Sequence, residues 1–147
     1  MEEEQDVCSY IGIIFLLMII PNPGTIELKK FYTWIGSDGI ARTIVKPHAE
    51  IFLQDAKENT ATVETFYNGK KFPLLVDIRN IKSISKEARE HFTLKDRESV
   101  VTAYAMVLSS SLSRMIGNFF LNFHMPAVPV KLFNHEEEAI VWLRRFT

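Results

Sequence analysis

Between Phe72 and Arg89 an apolar run, Leu74-Leu75-Val76, turns polar at Asp77-Ile78-Arg79-Asn80 and passes through Ser83 and Ser85 into a helix start, Lys86-Glu87-Ala88. A continuous apolar run, unlike an alternating one, marks a strand covered on both faces, the habit of parallel sheets flanked by helices. Parallel neighbours need crossover connections, so the chain around this strand has to be built from β/α units. The polar turn is where the strand surfaces at its carboxyl end, and open α/β sheets place their working residues there. Val100–Leu108 is a second run of this kind, ending in Ser109-Ser110-Ser111.

The remaining elements fall into place around these two. Phe31 to Ile35 is aromatic and β-branched, Ile40 to Val45 alternates with Arg42 and Thr43, and Gly36-Ser37-Asp38-Gly39 between them signals a hairpin. Pro47 ends the second strand. Ala56, Thr60, Val63 and Tyr67, spaced by three or four up to Asn68-Gly69, predict an amphipathic helix with a glycine stop. A short helix runs from the N-cap Ser85 to about Phe92, and the charged link Lys95–Glu98 follows. Leu112, Met115, Ile116, Phe119, Phe120 and Phe123 trace the clearest helix of the chain. Pro126 and Pro129 bracket a turn before an edge-type strand, Val130 to Phe133. The last helix is expected to open with Asn134 as N-cap and Glu137 at the capping-box position, and to end with Arg144-Arg145 near the negative pole of its dipole. The order is β-β-α-β-α-β-α-β-α. It predicts an α/β fold: a mixed sheet of about five strands, opened by an N-terminal antiparallel hairpin whose first strand alone runs against the rest, and four helices.

One domain accounts for the length of 147 residues, and the 47% hydrophobic and 24% charged fractions are those of a globular chain able to fold alone or as a small oligomer. A formal net charge of −1 offers no field for a phosphate backbone, so nucleic acid is not an expected partner. Cys8 is the single cysteine, which excludes an internal disulfide and fits a reducing, cytoplasmic compartment. Ile11 to Ile20 is almost wholly apolar, yet Glu2-Glu3-Glu4 precedes it in place of a basic region, and it is shorter than the roughly 20 apolar residues of a bilayer span. No stable membrane span is expected. The segment is a packed strand or helix, a weak membrane-surface anchor, or an upstream extension of a product that begins at Met18; the last is favoured because Pro21-Asn22-Pro23-Gly24 breaks any regular element before the periodic pattern starts. Residues 1–24 are therefore read as an N-terminal extension and 25–147 as the domain.

The element order, with Asp77-Ile78-Arg79-Asn80-Ile81 leading to one helix and Leu132-Phe133-Asn134 leading to a last helix carrying Ala139 and Trp142-Leu143, resembles the STAS domain, the SpoIIAA-like fold of anti-sigma factor antagonists. The likeness runs from about Phe31 to Phe146. It is similar, more narrowly, to small uncharacterised bacterial STAS-like proteins, through Leu75 to Arg79, Ser85 to Arg89 and Gly117 to Phe120. In regulatory STAS domains a serine at the start of the helix is phosphorylated by a partner kinase; aligned on Asp77 and Ile81, this chain has Lys86 at that place and Ser85 where an aspartate would precede it. The resemblance thus implies an interaction module without the usual switch, leaving Ser83 and Ser85 for a shifted one. The related CRAL/TRIO fold encloses a lipid with similar windings, and this chain is short for such a lid and pocket.

Asp77 and Arg79, alternating outward at one strand end, either pair with each other or present a carboxylate and a guanidinium to a partner; burying such charges unpaired is costly, which favours the ion pair. Ser109, Ser110 and Ser111 sit where an anion could be held, but without a glycine-rich turn or a following lysine ordinary N-capping explains them equally. His48, His91, His124 and His135 show no metal spacing, and no nucleophile motif is present, so neither metal, cofactor nor catalysis is expected. The stripe of Met115, Ile116, Phe119, Phe120 and Phe123 is mostly core. Ile116 and Phe120 are expected to reach beyond the buried arc and form a dimer or partner surface.

The leading expectation is a non-enzymatic STAS-like interaction module, bacterial and cytoplasmic, that contacts a protein partner or a second copy through Asp77, Arg79, Ser83, Ser85 and Lys86. The alternative is a carrier of a small apolar or lipid ligand held between helices and sheet, as in CRAL/TRIO proteins.

Overall fold

The computed structural model describes residues 24–93, 99–122 and 128–147. Cys8, the apolar Ile11 to Ile20, the charged link Lys95–Glu98, Phe123, His124 and Pro126 lie outside them.

A two-residue strand, β1 (Ile26–Glu27), precedes the expected hairpin of β2 (Phe31–Ile35) and β3 (Ala41–Val45). Gly39 closes the hairpin at φ +79, a backbone region that residues with a Cβ rarely adopt, and Asp38 braces the turn through two hydrogen bonds to the Arg42 guanidinium. Then come β4 (Glu50–Ile51), α1 (Leu53–Glu64), β5 (Phe72–Asp77), β6 (Ser83–Ile84), α2 (Lys86–Phe92), β7 (Val101–Val107), α3 (Ser111–Asn122), β8 (Val130–Phe133), α4 (Glu136–Leu143) and a 3₁₀ turn, Arg144–Phe146. The main sheet has six strands in the order β1-β2-β3-β5-β7-β8, one more than expected because β1 adds to the edge of β2. β2 is antiparallel to both neighbours and all other pairs are parallel, so it alone runs against the rest. β4 and β6 form a separate parallel ladder in stretches where the sequence pattern predicts no strand.

From β3 onward each new strand is added to the same edge, and right-handed crossovers of that kind place every connecting helix on one face. On that face Ala56 of α1, Ala88 of α2, and Ile116 and Phe120 of α3 pack with Val45, Ile78 and Met106. No strand follows α4, which is free to cover the opposite face: Ala139 and Leu143 pack there on Ile40, Leu75, Ala105 and Val107. Leu74 and Leu75 accordingly point to different cores, the first with Val63, Phe72 and Val101 and the second beneath α4. The run Leu74-Leu75-Val76 is thus covered on both faces.

Three local expectations are corrected. α1 ends at Glu64, one turn before Tyr67, because Thr65 stops it, its hydroxyl and amide both donating to the carbonyl of Thr62. The N-cap of α4 is His135 and not Asn134, whose Oδ1 instead accepts from Nη2 of Arg114 at 2.9 Å, so the Asn134–Glu137 box does not form. Ile116 and Phe120 are 3% and 4% exposed, not a surface: the Phe92 ring of α2 packs edge-on to Phe120 at 6.3 Å, and α3 exposes Met115 and Leu121 instead.

Candidate functional site

At the carboxyl end of the sheet, strand register brings Ile44, Asp77, Val107 and Phe133 side by side. β5 leaves the sheet there, and α3 and α4 start from the ends of β7 and β8. Asp77 is on the α4 side of β5, alternating with the inward Ile78, and is 7% exposed. Its carboxylate accepts four hydrogen bonds from Arg79. The Arg79 amide reaches Oδ1 at 3.0 Å, Nε reaches Oδ1 and Oδ2 at 3.1 and 3.2 Å, and Nη2 reaches Oδ2 at 2.7 Å. This is the bidentate fork that only arginine offers a carboxylate. The hydrogen bonds and charge of Asp77, with smaller help from Glu136 and Glu137, hold the Arg79 guanidinium above its ordinary pKa despite partial burial. Thirty-eight per cent of the Arg79 side chain remains exposed. The ion-pair reading is the one the geometry supports, but it leaves the far edge of the guanidinium facing outward in a fixed pose.

Around Arg79 the loop ends are tied to each other. Ser109 Oγ donates to the Arg79 carbonyl at 3.3 Å, and Arg114 on the first turn of α3 reaches Asn134 before α4. The serine cluster is a cap. Ser110 Oγ accepts from the Ser113 amide, and the fully buried Ser113 Oγ accepts from the amides of Ser109 and Ser110. The amides of Ser109, Ser110 and Ser113 are thus taken up by serine hydroxyls, and Ser111 stands exposed as the first residue of the helix. Capping, the other explanation of this serine run, is the one the geometry supports for Ser109 and Ser110. Ser113, which completes the box, was missed, although serine at the third helical position is its only sequence signal.

Ser85 caps α2 by accepting from the Ala88 amide at 3.1 Å, and its own amide donates to Ile51 across the small ladder. Ser83 lies in β6 opposite Glu50, half-buried. Lys86 is exposed, with Glu90 3.7 Å away on the next turn. Among the described residues no hydrogen bond or ion pair joins Ser83, Ser85 or Lys86 to the Asp77–Arg79 pair, so the predicted site divides into a braced arginine and a separate helix start.

The opposite face of the sheet carries a cavity of about 100 Å³ beneath α1 and α2, lined mainly by apolar side chains such as Val63, Val76, Ile84 and Met106. Asn59 of α1 and Thr43 of β3 also line it, and both are buried. The buried residues of α1 are Asp55, Ala56, Asn59 and Val63; Thr60 of the sequence pattern is half-buried and lines the same cavity, whereas Asn59, a polar residue outside that pattern, gave no sign of facing inward.

A family model, "Domain of unknown function (DUF7793)", matches residues 33–147. The chain belongs to this family. This DUF7793 domain runs from within β2 to the last residue and includes the Asp77–Arg79 pair and all of the cavity lining except Phe31. No curated protein matches it. Among solved structures it is similar to an uncharacterized DUF3478-family protein with a SpoIIAA-like fold from Shewanella loihica PV-4, at 18% identity and a TM-score of 0.56, over 82% of this chain and 94% of that one. A protein with unknown function from Arthrobacter sp. FB24 matches at 27% identity and a TM-score of 0.30, over 76% of this chain and 90% of that one. The DUF7793 domain thus has the SpoIIAA-like fold expected from its sequence.

Proposed function

We propose that the chain is a non-enzymatic STAS-like interaction module that docks a protein partner at the carboxyl ends of β3, β5, β7 and β8. The observation that supports this reading is the Asp77–Arg79 pair. A buried carboxylate takes up the Nε and one Nη of a guanidinium and leaves its outer edge exposed, which removes most of the rotamer entropy that an arginine otherwise loses on binding. Arginines of this kind are common anchors of protein interfaces, and their outer edge receives a carboxylate or a backbone carbonyl. Lys86 adds an exposed cation on the segment that leaves the same strand. A reducing, cytoplasmic setting belongs to this reading, since the chain's lone cysteine forms no internal disulfide, and a bacterial source belongs to it through the resemblance to small bacterial STAS-like proteins. Among the described residues no helix is long and apolar enough to cross a membrane.

The test is affinity purification from the host with the intact chain, the D77N/R79Q double variant and Lys86→Glu. Each variant is expected to lose a protein that the parent retains, while unfolding cooperatively in urea. Recovery of the same protein at parental yield by the folded double variant would refute docking at this end. The alternative reading, a carrier of a small apolar ligand, takes its support from the cavity on the other face.

A further inference from the structure

Thr33, Thr43 and Asn59 make a polar line inside the apolar layer between β2, β3 and α1, and all three are buried. Its hydrogen bonds have a fixed direction. Thr33 Oγ1 donates its only proton to the Arg42 carbonyl at 2.9 Å, so in the 3.1 Å contact with Thr43 it must accept. Thr43 has then given its proton to Thr33, and Asn59 Nδ2 donates to Thr43 Oγ1 at 3.5 Å, a long bond. Among the described residues the second N–H and the Oδ1 of Asn59 take no further hydrogen bond. Yet Asn59 is 5% exposed and lines the cavity. Among the described residues Arg89 Nε is the only buried side-chain polar atom without a partner, so the open groups of Asn59 face the cavity, where water or a ligand answers them.

We infer that the cavity beneath α1 and α2 binds an uncharged small molecule, apolar except for one group that both donates and accepts a hydrogen bond, with that group set against the Asn59 carboxamide. Size and charge narrow the class. An engineered apolar cavity of about 150 Å³ holds benzene, so one of about 100 Å³ takes a single ring that reaches towards its mouth, or a short branched chain. Glu64 is the one charged residue of the lining among the described residues, and it is an acid, which disfavours an anion. The site lies on the face opposite α4 and Arg79, so ligand binding here is separate from partner docking at the strand ends.

The experiment uses phenol, its apolar isostere toluene, and benzoate, each titrated into the intact chain and followed by methyl NMR. Phenol is expected to shift the methyl signals of Val63, Ile84 and Met106 and leave those of Val141 and Leu143 unmoved, and benzoate to shift none. In Asn59→Leu the affinity ratio of phenol to toluene should fall at least about fivefold, the value of one or two neutral hydrogen bonds. Val63→Phe, which fills the cavity, should abolish both. Unmoved cavity methyls at millimolar phenol, or a phenol to toluene ratio unchanged by Asn59→Leu, would overturn the inference. The parent's methyl shifts decide the location even where a variant fails to fold.

Discussion

Replacing Arg79 alone strands a carboxylate that the fold has buried, so the pair has to be probed as a cycle: Asp77→Asn, Arg79→Gln and the double variant. In Arg79→Gln the carboxylate keeps only the backbone amide of position 79, whose 3.0 Å bond survives the substitution, and it loses three charge-assisted contacts. Breaking a fully buried pair from one side costs about 3–5 kcal/mol. With 38% of the Arg79 side chain in water, that figure needs a discount, to about 2 kcal/mol. Asp77→Asn frees a guanidinium that water can solvate, and costs about 1 kcal/mol. The two effects share one interaction, so the double variant should cost less than their sum by a coupling energy of about 1–2 kcal/mol, above the ~0.2–1 kcal/mol of exposed pairs. Equilibrium urea unfolding of the four proteins measures it; at a slope of about 2 kcal/mol per molar, the coupling is a midpoint discrepancy of about 0.5–1 M. A coupling within about 0.3 kcal/mol of zero would mean that Asp77 does not hold Arg79, and the fixed outward guanidinium would lose its physical basis.

Gly117 sits where α3 crosses the sheet: a Cβ there would lie 2.9 Å from Cδ2 of the buried Leu108 and 3.3 Å from Leu132. Gly117→Ala should therefore destabilise by about 1 kcal/mol, overpacking outweighing the roughly 1 kcal/mol gained in helix propensity, and Leu108→Val should cost less in that background than alone. Additive urea midpoints would count against the crowding. Arg42, through its hydrogen bond and charge, and the Ile40 amide hold the Asp38 carboxyl below its ordinary value of 3.8. The stability this contributes is complete above the unfolded-state value and is lost as pH falls through the lower folded one. The stability difference between the parent and Asp38→Asn should consequently shrink on acidification from about pH 5 to about pH 2. A difference constant over that range would show that the hairpin brace carries no charge-dependent stability.

What the sequence disclosed is what periodicity encodes. The runs around Leu75 and Ala105 are apolar on both faces because helices cover both, and the hairpin announces itself through Gly39, so the sheet and its carboxyl edge were legible. Ser85 was readable as a cap because that bond is local, made within three residues. Arg79 was readable as a candidate, though not its geometry. The misses are relations between distant elements. β4 and β6 have two residues each and no pattern of their own, and they exist because Ser83 meets Glu50 across the chain. Whether Ile116 and Phe120 face water depends on where α2 and its Phe92 come to rest, which the α3 stripe cannot encode. Asn59 was invisible for a related reason: a polar residue on a buried helix face carries no signal until Thr43 stands opposite it.

With the partner in hand, its footprint on the chain is the most direct test. Hydrogen–deuterium exchange of the complex is expected to show protection concentrated at residues 78–87, 109–114 and 134–137, around Arg79 and Lys86, with the Gly36–Gly39 turn at the far end of the sheet exchanging as in the free protein. Protection centred on that turn, or backbone amides of residues 78–87 that exchange equally in both states, would contradict a docking surface at the carboxyl ends of the strands.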